Sequence, residues 1–130
     1  MKTRVLDTCI LLDIWHGRSP SSIRVRSDKA AREAAAAWLK RYPGDAILTP
    51  VRLEFLGGTR DKDELRLADL FLNEFEVLDK GKVLAEDWQA AERYVRWIRE
   101  KGRTRGAIDG LIRALCDRLN ADLNTHDSGM

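Results

Sequence analysis

The sequence predicts an α/β fold: a three-layer α/β/α domain with a central parallel sheet of about four strands. Short apolar runs that stop on polar residues recur along the chain, as buried parallel strands do. Stripes of helical periodicity separate them, and this alternation implies a sheet covered on both faces. The length, 130 residues, suits a single domain spanning 1–130. Apolar residues make up 44% of it and include four tryptophans, enough to bury a core.

Each element has a local signal. Val5-Leu6 forms a first strand that ends at Asp7. Gly17 to Ser27 is the one long loop-like stretch. Ala31, Ala34, Ala35, Trp38, Leu39 and Tyr42 keep helical spacing after a Ser27-Asp28 cap, and Pro43-Gly44 ends the pattern. Ala46-Ile47-Leu48 is the second strand. Thr49 then reads as an N-cap with Pro50 at the first helical position, opening a short helix to Gly57. Asp61 caps a helix running through Phe75, and Val77-Leu78 gives a third strand ending at Asp79. Trp88, Ala91, Val95 and Ile98 mark a helix that stops near Gly102. Ile108, Leu111, Ile112, Leu115, Cys116 and Leu119 form the cleanest stripe. Asp122-Leu123-Asn124-Thr125 is the fourth strand and leads into His126-Asp127.

Composition excludes several classes. Lys and Arg number 23 against 21 Asp and Glu, a net charge of +2, which fits neither a histone-like polycation nor an acidic tail protein. Cys9 and Cys116 stand far apart and outside any CxxC pair, against a disulfide scaffold or zinc ribbon. The first seven residues reach a carboxylate before a long apolar run develops, and no stretch approaches the ~18 apolar residues of a membrane span. The expectation is a soluble, cytoplasmic protein with no membrane contact.

The chemistry lies in the acids. Ligands of open parallel sheets bind outside the carboxyl ends of the strands. Asp7 ends the first strand, Glu54 lies about one turn into the helix after the second, and Asp127 follows the last. Asp109 sits in the opening turn of the last helix. A helix leading into a parallel strand is expected to start at the opposite edge of the sheet unless the strand order is unusual. The sequence therefore groups the other three acids and leaves Asp109 open. Clustered carboxylates are what Mg²⁺ or Mn²⁺ requires. Each acid also has a plain structural alternative: a helix cap for the aspartates, or an i,i+4 pair for Asp109 with Arg113. Leu53, Phe55 and Leu56 crowd Glu54, which predicts a buried carboxylate in need of a partner or metal.

Four blocks resemble PIN-domain nucleases. Val5-Leu6-Asp7-Thr8-Cys9-Ile10-Leu11-Leu12-Asp13 is similar to the family's opening, apolar-apolar-Asp-Thr-Asn followed by an apolar helix. Thr49 to Gly58 resembles the Glu-bearing helix that ends in glycine. Ile108-Asp109-Gly110-Leu111-Ile112-Arg113-Ala114 and Thr125-His126-Asp127 resemble the third and fourth blocks. The likeness is closest to VapC-type toxins of toxin–antitoxin pairs. Cys9 replaces the usual asparagine, Arg113 stands where a small residue is common, and the usual Asp-Phe continuation does not follow Asp127 within these residues.

The resemblance implies a sheet order that brings Asp109 to the same pocket. Asp7 and Asp109 would be the main ligands of Mg²⁺ or Mn²⁺, with Glu54 and Asp127 completing the site. It also implies endoribonuclease activity on an RNA substrate that leaves 5′-phosphate and 3′-hydroxyl ends, a homodimer, and a VapB-type antitoxin protein as partner. Leu11, Ile14 and Trp15, or Trp38, are the expected contact surface. Two basic clusters are candidate substrate contacts: Arg18, Arg24, Arg26, Lys29 and Arg32; and Arg96, Arg99, Lys101, Arg103 and Arg105. Arg103 and Arg105 lead directly toward Asp109 and would rim the pocket. Trp38, Trp88 and Trp97 read as core or interface rather than base-stacking platforms. His126, next to Asp127, is a candidate substrate contact. A rival reading is a non-catalytic α/β interaction module descended from the same fold. A receiver-like phosphoacceptor is disfavoured, since only Asp7 ends the first strand and no lysine follows the last.

Overall fold

Strands β1 (Arg4–Leu6), β2 (Ala46–Ile47), β3 (Glu76–Val77) and β4 (Asp122–Asn124) lie side by side in the order β3-β2-β1-β4 in a computed structural model describing residues 2–18, 24–103 and 106–126. Every pairing is parallel. Val5 stands opposite Ala46 on one side and Leu123 on the other, and Ile47 stands opposite Val77. The helices are α1 (Thr8–Trp15), α2 (Asp28–Arg41), α3 (Thr49–Gly57), α4 (Lys62–Leu72), α5 (Ala85–Glu100) and α6 (Ala107–Arg118). Because crossovers are right-handed, the steps β1 to β2 to β3 leave α1–α4 over one face. The return from β3 to the far side of β1 carries α5 and α6 over the other. This is the expected three-layer arrangement.

The strands are short, and the central two are interior: Val5, Leu6, Ala46 and Ile47 have no exposed surface, whereas Glu76 of β3 and Asp122 of β4 at the edges are exposed. On the α1–α4 face Trp15, Phe55, Phe71 and Phe75 form an aromatic cluster with ring centroids 5.4–5.6 Å apart, mostly edge to face. Leu11, Ile14, Trp15 and Trp38, the expected partner surface, belong to this core and are buried. The buried stripe of α1, Ile10, Leu11, Ile14 and Trp15, packs where α1 meets α2 and α3, so it is unavailable to a partner.

Strand ends shift by one residue, β2 lacking Leu48, β3 running Glu76–Val77 and β4 ending at Asn124, and two helix boundaries differ further. Helix α3 includes Thr49 and is capped at Leu48, with Pro50 one position further in than expected. The reason is long-range: Asp79, after β3, accepts from both the N–H (3.2 Å) and the hydroxyl (2.8 Å) of Thr49. Helix α4 starts at its Asp61 cap, as read, but ends at Leu72 instead of reaching Phe75. Phe75 stays buried by turning back on Phe71, so the apolar pattern outlives the helix.

Three buried aspartates tie neighbouring elements together. Asp45 accepts from Arg4 Nη2 (2.6 Å) and Trp38 Nε1 (2.9 Å), joining β1 to α2. Asp79 holds the start of α3. Asp87 accepts from the Leu84 N–H at the head of α5 (2.8 Å) and from Arg118 Nε on α6 (2.8 Å). Helices α5 and α6 also meet at Gly110, where a Cβ would lie 3.0 Å from Val95 Cγ2 and 3.1 Å from the Ala91 carbonyl oxygen. A backbone oxygen cannot swing aside. Gly110→Ala should therefore lose more to overpacking, about 1–3 kcal/mol, than the ~1 kcal/mol it gains in helix propensity. Its melting temperature should fall below wild type in a thermal scan.

Candidate active site

The carboxyl edge of the sheet gathers the acids. Asp7 leaves β1 in extended conformation and caps α1: one carboxylate oxygen accepts from the Thr8 N–H (2.8 Å), the other from the Thr125 hydroxyl (2.7 Å). Its own N–H donates to the Asn124 carbonyl at the end of β4 (3.0 Å), so β1 and β4 fix it from both sides. Glu54 projects from α3 and accepts from the Thr8 hydroxyl. Asp109 opens α6, where Tyr94 donates its hydroxyl (3.3 Å) and Arg113 Nε lies 3.5 Å from the same oxygen. The i,i+4 pair with Arg113 is thus formed.

Asp7, Glu54 and Asp109 line one cleft of about 400 Å³, together with Cys9, Thr125 and His126. Asp109 corrects the expectation of the opposite edge: it lies with Asp7 and Glu54 at the carboxyl edge. Helix α6 feeds straight into β4, so it runs back along the sheet and its first turn stands at the edge where the strands end. Asp127 and Arg105 lie outside the described residues. Glu54 is a correction: it is exposed, and Leu53 beside it is 64% exposed. Only Pro50, Val51 and Phe55 of α3 are buried.

Sequence reasoning missed the groups that hold the acids. Thr8 and Thr125 carry a signal, since each stands in a block with a predicted acid. Tyr94 carries none, because its place beside Asp109 depends on the packing of α5 on α6. Cys9, where the family has asparagine, accepts weakly from the His126 N–H (3.4 Å) and lies 3.6 Å from the Thr125 hydroxyl. His126 bonds Asp13 through Nε2, and this hydrogen bond, aided by Arg18, holds the Asp13 carboxyl below the usual carboxylate range.

The basic clusters divide. In the second, Arg96 pairs with Glu92 (3.0 Å), Lys101 sits 4.9 Å over the Trp97 ring, and Arg103 is exposed after α5. None of these lines the cleft. In the first, Arg24 and Arg26 line a larger hollow that shares Thr8 and Glu54 with it. Trp38 is core, whereas Trp88 and Trp97 are 57% and 42% exposed.

Cys116 lies on the buried face of α6, and burial pushes its thiol up to about 12. A neutral, enclosed thiol is a poor nucleophile. Iodoacetamide at pH 7.5 should leave Cys116 unmodified in the native protein and label it in denaturant, as read by peptide mass spectrometry.

The donors suit a hard divalent cation, since carboxylate and hydroxyl oxygens face the cleft. Among the described residues no group of three or more His, Cys, Asp or Glu side chains is drawn together closely enough to hold an ion. Each acid is instead held by a hydroxyl, an N–H or Arg113. An all-parallel α/β domain with three carboxylates converging on one strand edge defines an acidic-cleft class of site. The PIN domain family matches residues 4–130, and the chain belongs to that family. PIN domains are in general metal-dependent nucleases, which places this chain among the hydrolases acting on nucleic acid. A comparison with curated proteins gives no match. No helix among the described residues is long and apolar enough to cross a membrane.

Proposed function

We propose that this chain is a divalent-metal-dependent endoribonuclease of the VapC type, the toxin of a toxin–antitoxin pair. The observation that supports this reading is the meeting of Asp7, Glu54 and Asp109, from three separate elements, in one cleft at the carboxyl edge. Asp7 and Asp109 are the principal ligands of Mg²⁺ or Mn²⁺, and Glu54 and Asp127 complete the set. When bound, the ion supplies Lewis acidity toward water and offsets the charge of a phosphodiester.

The chain's own groups do the positioning. Thr125 and the Thr8 N–H fix the two oxygens of Asp7, so its carboxylate enters the site in one orientation. The Thr8 hydroxyl restrains Glu54, which on an exposed helix face would otherwise sample several rotamers. Tyr94 and Arg113 hold Asp109. The Arg113 guanidinium is also a fixed positive charge beside the acids, and it lessens their repulsion of an approaching phosphate. A VapB-type antitoxin and a second copy of the chain are the proposed partners.

Incubation of the purified protein with RNA in Mn²⁺ tests the reading. Cleavage should stop in chelator and leave 5′-phosphate and 3′-hydroxyl ends by mass spectrometry. Undiminished cleavage in chelator, or intact RNA after incubation with folded protein and Mn²⁺, would refute it.

A further inference from the structure

The hollow beside the cleft, about 790 Å³, lies between α1, α3, α4 and the segment entering α2. Its lining includes Arg24, Arg26 and Arg60, and it runs into the acidic cleft through Thr8 and Glu54. The segment at Arg24 is extended: it bridges His16, and the Val25 N–H donates to the Trp15 carbonyl (3.0 Å). Val25 is buried. Successive side chains of an extended segment point to opposite sides, so burial of Val25 turns both Arg24 and Arg26 outward together. Both are exposed, and among the described residues neither forms an ion pair.

The acids of this hollow are already engaged. Glu64 pairs with Arg60 (2.9 Å), Asp61 accepts from the Glu64 N–H (2.8 Å), and Glu54 accepts from Thr8. Two uncommitted guanidinium groups therefore dominate the wall, each able to bind a phosphate bidentately. Its large aromatic residues, Trp15 and Phe55, are 8% and 5% exposed and pack on each other at 5.4 Å. They offer little face for base stacking, so contacts here are to the backbone and independent of sequence.

We propose that this groove binds the sugar-phosphate backbone of the single-stranded RNA flanking the cut site, with Arg24 and Arg26 as its phosphate contacts. The inference rests on the nuclease reading for its substrate and adds to it the path by which the strand enters the cleft.

Fluorescence anisotropy of a labelled single-stranded RNA of about 15 nucleotides, in chelator so that no cutting occurs, tests it. Arg24→Ala combined with Arg26→Ala should weaken binding about tenfold or more. The slope of log affinity on log salt should become shallower by about 1.4, or 0.7 for each lost single-strand contact. The paired lysine replacements should keep the wild-type slope. Lys40→Ala with Arg41→Ala, in the last turn of α2 and outside the groove lining, should change the slope little. Equal affinity and slope in the Arg24/Arg26 alanine variant would overturn the proposal, as would an equal loss from the Lys40/Arg41 variant. So would unchanged RNA binding with loss of binding to the protein encoded beside this chain, which would assign the groove to a polypeptide. Because binding is read without cleavage, a wild type that binds here but cuts no RNA in Mn²⁺ refutes the nuclease reading alone.

Discussion

Asp7→Asn and Asp109→Asn should each lower RNA cleavage in Mn²⁺ by at least about a hundredfold, since losing even an outer partner of a metal ligand costs 10–100-fold. The fold should survive both changes. Asparagine at position 7 keeps an acceptor for the Thr8 N–H and remains a good helix cap. At position 109 it keeps an acceptor for the Tyr94 hydroxyl. What is lost is the negative charge that draws a hard cation. Glu54→Gln should behave similarly. Initial rates on one RNA, measured with melting temperatures, separate lost chemistry from lost fold. Wild-type rates in Asp7→Asn and Asp109→Asn, with contaminating nuclease excluded, would remove both from the site.

Asp45→Ala should do the reverse, with a large loss of stability. Asp45 is 6% exposed and is the acceptor for both Arg4 and the Trp38 indole. Removing it strands an indole N–H in the core and breaks the tie between β1 and α2. Loss of one partner from a buried pair costs about 3–5 kcal/mol, but Arg4 keeps 36% exposure and recovers some hydration. An expected loss of about 2–3 kcal/mol allows for that and for the orphaned indole donor. Urea denaturation should show the midpoint falling with an unchanged slope. A change below about 0.5 kcal/mol, ordinary for a surface site, would mean that the network carries no weight.

The contrast between these aspartates marks how far the sequence could be read. Asp7 was legible because an apolar strand stops at it, and Glu54 because a Pro-headed helix follows the second strand. The edge occupied by Asp109 was legible too: a helix that feeds a parallel strand runs antiparallel to it, so α6 begins where the strands end. The expectation of the opposite edge fails on that geometry. Asp45 and Asp87 were unreadable as structural acids because their arginine partners lie 41 and 31 residues away. Local patterning could not tell Asp45 and Asp87, bound to buried donors, from Asp7 and Asp109, which face a cleft. The burial expected of Glu54 failed for a related reason. Three apolar neighbours suggest an interior helix, yet Leu53 points to solvent and the core takes Val51 and Phe55, one turn apart.

Asp7, Glu54 and Asp109 are proposed to form one cation site. Thermal melts of wild type and Asp7→Asn, each in chelator and in Mn²⁺, test it without reference to any substrate. A ligand that binds only the native state stabilises it by about 2.7 kcal/mol at a hundred times its dissociation constant. In wild type, Mn²⁺ should therefore raise the melting temperature by several degrees, increasingly with concentration. Asp7→Asn should melt near wild type in chelator and lose most of that gain. No effect of Mn²⁺ on wild type, or an equal gain in Asp7→Asn, would contradict the shared site and leave Asp7 as a helix cap.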